Sequence, residues 1–430
     1  MLSILITRPW IRKVPLTSLL LLFAVVPTLS QTQHLSLEEC QTLARENYPK
    51  IQQLDLIQQS RDFSLENAGK GNLPQINING QATYQSDVTQ IPVEMPGTDI
   101  EVLSKDQYKV FGEISQPLTD MAIIKSQKKA IEIQSETKNN QLEVELYQLK
   151  DRINQLYFGI LLLEQQKEQV NLLKKDIETG IKQVSAAIEN GVALPSELDY
   201  FKAEMLNADQ KSIELESQRS GMIQMLELFI NQSISKDTYF EVPAILNLSD
   251  QITRPELALF KNQKESILIQ KDLISNKNTP RLNLFLQGGY GRPALNMLNN
   301  DFDFYYLGGL RVNWSISRYY TSNKEKSLLD IQTSTVELQQ ETFLLNTKAT
   351  LTRQKEEINK YDLLMASDQQ IIDLREKVKS SALSQLEYGT LTGNDFMTYV
   401  NAVDQARQNL VLHKMQYLFA QHTYQYTSGN

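Results

Sequence analysis

The chain has 430 residues, is 41% hydrophobic and carries a formal net charge of −8, which argues against a nucleic-acid partner, whose phosphates call for a basic surface. One cysteine (Cys40) leaves no material for a disulfide framework or a cysteine metal cluster, and with three histidines (His34, His413, His422) a histidine-based metal or catalytic site is not expected. Glycine and proline are sparse, at 17 and 13, and no proline follows Pro293, so long helices are expected rather than a turn-rich β fold.

Residues 1–30 read as a secretory signal: Arg8, Arg12 and Lys13 form a basic start, Leu16 to Val26 an apolar run, and Thr28 and Ser30 the small residues before a cut at Gln31. Its three positive charges and no acid take the mature net charge from −8 to −11. The run is short for a membrane-spanning helix, and no later run reaches the roughly 18 apolar residues such a helix needs. Cys40 ends the stretch SLEEC, beyond charged residues, and reads as a helix-packing thiol rather than an acylation site.

Residues 31–235 read as a first structural repeat. A helix of about 49–70 is followed by strands of about 74–86 and 107–118, a long helix of about 120–190 and a helix of about 196–230. In the first strand Ile76, Ile78, Ala82 and Tyr84 alternate with Gln75, Asn77, Asn79, Gln81 and Thr83, one face apolar and the other polar. The alternation runs through Asn79-Gly80, so Gly80 is read as a strand glycine and not a hairpin turn. The second strand sets Tyr108, Val110, Ile114 and Leu118 against Lys109, Glu113 and Ser115, with Phe111 as an exception. In the long helix Leu142, Leu146, Leu149, Ile153, Leu156, Ile160 and Leu163 fall at alternating spacings of four and three, the seam of a coiled coil.

A connecting segment, residues 236–252, leads to a second repeat at 253–430, with a helix of about 255–277, strands of about 280–291 and 305–316, a long helix of about 322–388 and a helix of about 394–426. Leu282, Leu284, Leu286 and Tyr290 oppose Arg281, Asn283 and Gln287, with Phe285 breaking the pattern. Tyr306, Leu310, Val312, Trp314 and Ile316 oppose Arg311, Asn313 and Ser315. The duplication rests on two offsets. Pro49 with Pro255 and Pro74 with Pro280 lie 206 apart, while Gly191 with Gly389, and the candidate N-caps Ser196 and Asn394, lie 198 apart. The first copy carries the difference between its strands, around VTQIPVEMPGTDIEVLSKD.

Four amphipathic strands with aromatics near their ends match the wall of a transmembrane β-barrel. Four strands cannot close a barrel, which needs about eight, and open edges are not tolerated in lipid, so the sheet has to be shared between chains. Helices of some 70 residues, about 105 Å long, exceed any single globular core and have to lie side by side. Gly288-Gly289-Tyr290-Gly291 is not followed by a helix and does not read as a phosphate loop. No nucleophile, metal or acid–base constellation stands out, so neither an enzyme nor a cofactor is expected.

The duplicated order, Asn47-Tyr48-Pro49, Leu73-Pro74-Gln75, Ser115 to Leu118 and the glycine turns at Gly191 and Gly389 resemble the TolC-like outer-membrane efflux family over nearly all of the mature chain. The resemblance implies a mostly helical, internally duplicated fold with a small β part. Helical hairpins would form an α-barrel tunnel in the periplasm, and four strands per chain would enter a shared twelve-stranded barrel of a homotrimer in the outer membrane. It implies a passive exit duct of a tripartite efflux or type I secretion system, served by a periplasmic adaptor and an inner-membrane pump of RND or ABC type. Ile76, Ile78, Tyr84, Val110, Ile114, Leu282, Leu284, Leu286, Leu310, Val312 and Trp314 would then face outer-membrane lipid.

The resemblance also places the gate and adaptor contacts at the hairpin tips. Glu197 and Asp395 fall where the family has acids, Thr398 where it has a further carboxylate and Leu391 where it has a basic residue. An acidic ring from Asp395 is therefore expected without the salt-bridge latch, although acids in a first helical turn also favour the macrodipole. The tips carry Gly191, Leu194, Leu198, Gly389, Leu391 and Phe396, a docking surface or an internal staple of the turns. A periplasmic coiled-coil adaptor and a structural envelope protein remain as alternatives to the channel.

Overall fold

A computed structural model describes residues 34–89 and 102–430; the expected signal and most of the long first loop lie outside the described residues. The chain enters through β1 (His34–Leu35), which pairs in parallel with β4 (Tyr239–Phe240). Helix α1 (Leu37–Asn47) follows at once, because SLEE is a capping box. Ser36 Oγ accepts the Glu39 N–H at 3.2 Å, and Ser36 N–H donates to Glu39 Oε2 at 2.9 Å. One side of α1 buries Leu37, Cys40 and Ala44, and that burial pushes the Cys40 thiol up to about 12.

The order then repeats. Helix α2 (Gln53–Gly69), strands β2 (Gln75–Tyr84) and β3 (Asp106–Pro117), and helices α3 (Met121–Glu189) and α4 (Pro195–Ile230) form the first set. After β4 come α5 (Pro255–Lys277), strands β5 (Arg281–Arg292) and β6 (Asp303–Asn313), and helices α6 (Tyr319–Glu387) and α7 (Gly393–Ser428). The chain is thus mostly helical with a small β part, and internally duplicated. Helices α3 and α6 have 69 residues each, about 104 Å of rod. Of the seam residues, Leu142, Leu146, Leu149, Ile153, Ile160 and Leu163 are buried and Leu156 is half-buried.

Rods of that length cannot share one centre, and buried residues gather in separate clusters along them. One lies at mid-height, where α1, α3, α4 and α7 meet around Ile153, Tyr157, Leu226 and Leu418. There the Tyr157 hydroxyl lies 2.8 Å from the Leu35 carbonyl and 2.7 Å from that of Glu241, tying β1 and β4 to α3. A second cluster fills the far end of the hairpins around Phe201, Leu386, Phe396 and Val400. Among the described residues no helix is long and apolar enough to cross a membrane.

Strands β2, β3, β5 and β6 form one antiparallel sheet in that order. Ile76 faces Ile114, which faces Leu286; Leu284 faces Leu310, and Leu282 faces Val312. Directly opposed residues share a face, so even-numbered side chains make one face of all four strands and odd-numbered ones the other. Phe111 and Phe285 break the alternation for a local reason. Phe111 stands opposite Gly289, where an added Cβ would come within 2.6 Å of the Phe111 Cβ, and Phe285 stands opposite Gly309. Each aromatic covers a glycine on the next strand, where no side chain would otherwise fill the pleat.

Two helix starts differ from expectation. The N-caps are Leu194 and Thr392, not Ser196 and Asn394. Pro195, with its φ preset for a helix, opens α4 at N1, and Thr392 accepts the Asp395 N–H at 3.2 Å. Ser196 and Asn394 lie inside the first turn. The sheet makes a paired prediction. Gly289→Ala should destabilise by roughly 1–3 kcal/mol through overpacking against Phe111 and the Val110 carbonyl. Gly80→Ala, whose Cβ meets nothing within 4 Å, should change stability by less than about 0.5 kcal/mol in thermal unfolding in detergent.

Candidate functional site

Two regions place side chains for function: the sheet and the opposite ends of the helical hairpins. On the even face of the sheet Ile76, Ile78, Val110, Ile114, Leu284, Leu286, Leu310 and Val312 are exposed, Ile78 to 82%. Leu282 is half-buried, and Trp314 stands just past the end of β6, donating from Nε1 to the Asn278 carbonyl at 3.0 Å. Exposed aromatics bound this band at both ends: Tyr84, Tyr108, Tyr290, Phe304 and Tyr306 away from the helices, and Trp314, Tyr319 and Tyr320 beside them. A ten-residue strand spans about 34 Å, which a tilt of about 40° reduces to roughly 26 Å, the height of a membrane barrel's apolar band. An apolar face of this extent marks a surface that water does not cover.

The odd face is polar. Arg311 donates to both carboxylate oxygens of Glu113, at 3.0 and 3.2 Å, and its guanidinium lies 4.4 Å from the ring centroid of Phe285. The outer edges of β2 and β6 have no partner strand among the described residues.

At the tips the two hairpins turn by the same device. Gly191 (φ 71°) and Gly389 (φ 68°) take the left-handed conformation that favours glycine. Gly191 N–H donates to Ile188 O and Val192 N–H to Ala187 O, both at 2.9 Å; Gly389 and Thr390 do the same to Leu386 O (3.1 Å) and Gln385 O (2.9 Å). Both long helices therefore end in a Schellman motif.

The residues singled out from sequence are distributed unevenly over these tips. Asp395 is exposed, and its Oδ2 accepts the Thr392 hydroxyl at 2.7 Å within its own turn. Thr398 is exposed one turn on and donates to the Asn394 carbonyl at 3.2 Å. Leu194 is 67% exposed. Of the residues open between a docking surface and an internal staple, Phe396 is 2% exposed, and Leu198 and Leu391 pack half-buried against the same cluster. The second hairpin covers the first at this level, so these three staple the tips internally. Glu197 does not stand alone beside Asp395 either. Its Oε2 accepts the Gly393 N–H at 2.8 Å and so caps α7 from across the hairpin boundary.

Sequence reasoning missed Phe201. Its ring is 0% exposed and so close to two glycines that a Cβ on Gly180 would meet it at 2.1 Å and one on Gly393 at 2.7 Å. The signal was Gly180, one of two glycines inside α3, since a helix carries such a residue where another chain segment approaches closely. Gly180→Ala should destabilise by roughly 1–3 kcal/mol by overpacking, against the gain of about 1 kcal/mol in helix propensity. Adding Phe201→Ala should recover part of the loss that the first change causes, seen as a positive coupling in thermal unfolding of the double mutant.

Residues 42–230 match the model of the family described as outer membrane efflux protein. No curated protein sequence matches the chain. Among solved structures it is similar to the CmeC outer membrane channel of Campylobacter jejuni, with 11% identity over 91% of this chain and 85% of that one and a TM-score of 0.61. It is also similar to the outer membrane protein VceC of Vibrio cholerae, at 12% identity over 92% and 96% of the two chains and a TM-score of 0.58. The open state of the MtrE outer membrane channel of Neisseria gonorrhoeae is matched at 12% identity over 92% and 89%, with a TM-score of 0.59. At such identities the shared property is the fold.

Proposed function

We propose that this chain, which matches the outer membrane efflux protein model over residues 42–230 and shares the fold of outer-membrane channels over nine-tenths of its length, is a passive exit duct in the outer membrane. Three copies contribute four strands each to a twelve-stranded barrel, and their helical hairpins continue as a tunnel through the periplasm. The observation that carries the reading is the sheet: an exposed apolar face held between two aromatic belts, with no partner strand on either outer edge among the described residues. Exposed Ile331, Leu338 and Leu345 on α6, seven residues apart, support it by offering a coiled-coil seam to a neighbouring chain.

In this reading the even face meets lipid. The odd face, with its amides and the Glu113–Arg311 pair, lines water. Substrates arrive from an inner-membrane pump of RND or ABC type through a periplasmic adaptor that docks at the tips, where Leu194 and Val192 are exposed. The duct performs no chemistry. Asp395, exposed and tied only within its own turn, supplies one carboxylate per chain near the axis; three such charges repel one another and attract cations, so the ring filters ions and biases the gate.

Two measurements test this. The protein should stay with the outer membrane through carbonate and salt washes; release by either contradicts the duct. In planar bilayers it should form cation-preferring channels. Asp395→Asn keeps an acceptor for Thr392 and removes the charge, so it should lower cation preference without unfolding the tip. Unchanged preference removes Asp395 from the filter.

A further inference from the structure

Helices α3 and α6 keep one register in the duplicated plan: Met121 and Tyr319 open them, Glu189 and Glu387 close them, and both pairs lie 198 apart. Each position in one therefore has an equivalent in the other. Midway along α3 stand Gln155, Phe158, Gly159 and Leu162, whose equivalents in α6 are Arg353, Glu356, Glu357 and Lys360. The second repeat is charged at all four positions and the first at none.

The uncharged set lines a hollow of about 270 Å³ between α3 and α7, completed by Met415, Gln416 and Phe419. Phe158 and Met415 are buried, and the rings of Phe158 and Phe419 lie 5.5 Å apart at 58°. Gly159 puts no side chain into this space, and a Cβ there would come within 2.6 Å of Met222 Sδ. The polar side chains of the lining are two amides, Gln155 and Gln416. Gln155 donates to Asp151 one turn back at 2.8 Å. Across Gln416 and Phe419 a neighbouring hollow of about 250 Å³ is lined instead by Arg353 and Glu357 of α6. The two hollows share a wall and differ in charge.

Helix geometry fixes the side on which the uncharged hollow lies. Tyr157 of α3 reaches the carbonyls of Leu35 and Glu241, and Gln421 of α7 accepts the Leu246 N–H at 3.1 Å, so β1, β4 and the connecting segment cover that side. Gln155 and Gly159 are each two residues from Tyr157, and Phe419 is two from Gln421, about 200° round their helices. The hollow is on the opposite side. The hairpins pack in the order α4, α3, α7, α6, so a neighbouring copy that meets α4 or α6 leaves it uncovered.

We propose that this hollow binds small uncharged aromatic molecules and, on the exit-duct reading, that it lies on the inner wall of the duct, since β1, β4 and the connecting segment would fill the passage if they lay inside. An apolar cavity of about 150 Å³ takes one benzene ring, so this hollow suits about two rings. Phe158 and Phe419 supply aromatic contacts, and a charged ligand would lose hydration without gaining a partner. Uncharged aromatic cargo is thus held briefly at mid-height, while charged cargo stays in the water of the passage.

N-phenyl-1-naphthylamine, whose fluorescence rises on leaving water, tests this on the full protein in amphipol, with binding read as the saturable part of the signal. One site per chain is expected. The charged analogue 8-anilino-1-naphthalenesulfonate should bind at least about tenfold more weakly. Leu162→Trp fills the hollow and should remove the saturable signal. Gln155→Glu, at an exposed position of the rim, should weaken binding by about tenfold while thermal unfolding shows the rods intact. No saturable site, equal binding of the sulfonate, or binding that neither variant moves overturns the proposal. Binding by a protein that forms no channels in planar bilayers keeps the site and contradicts the exit-duct reading; channels without binding do the reverse.

Discussion

The backbone groups along the outer edges of β2 and β6 set the terms for the rest of the molecule. Each edge presents N–H and C=O groups with no partner strand among the described residues. In water they would be solvated; beside an exposed apolar face bounded by aromatics they would enter lipid, where each unpaired group costs several kcal/mol. The other strands among the described residues, β1 and β4, have two residues each and pair with one another. The remedy within reach is a second copy, with β6 of one chain meeting β2 of the next. Such a head-to-tail contact closes into a ring when the rotation allows. The strands lead directly into helices, so a ring of sheets dictates a ring of helices beneath it. The exposed heptad stripe of α6 is what such a ring would cover.

At the far end of the hairpins side-chain packing, rather than backbone pairing, holds the fold. The long helices end where glycine can adopt a left-handed turn, and the chain then reverses into α4 and α7. That reversal leaves helix N-termini at the tip, and each needs an acceptor. Thr392 serves α7 locally by accepting the Asp395 N–H, while Glu197 reaches it from the other hairpin. One carboxylate thereby holds the two hairpins together, and the other is left exposed. The division is a matter of geometry: both acids stand at equivalent positions of the duplicated plan.

The fold class was legible in the sequence because its two periodicities are clean. Alternation by two gave the strands and their apolar face, and spacings of four and three gave the long rods. Phe111 and Phe285 looked like errors in the alternation, since their explanation sits on another strand: Gly289 is 178 residues from Phe111, and only the register brings them together. The caps were misread because Ser196 and Asn394 are good capping residues placed two positions inside helices that Pro195 and Thr392 had already begun. At the tips, sequence located the turns and the acids but could not say which side of a helix a second hairpin would cover. Phe396 is buried and Leu194 exposed for that reason alone. Phe201 and Gly180 are 21 residues apart, and their contact follows from how α3 and α4 cross, which spacing does not encode.

In the proposed duct the sheet of one chain is incomplete and copies of the chain complete it. Native mass spectrometry of the protein released from lipid nanodiscs tests it most directly. The account predicts a complex of three chains that persists until the sheet itself unfolds. A folded single chain with β2 and β6 intact in the bilayer would contradict it.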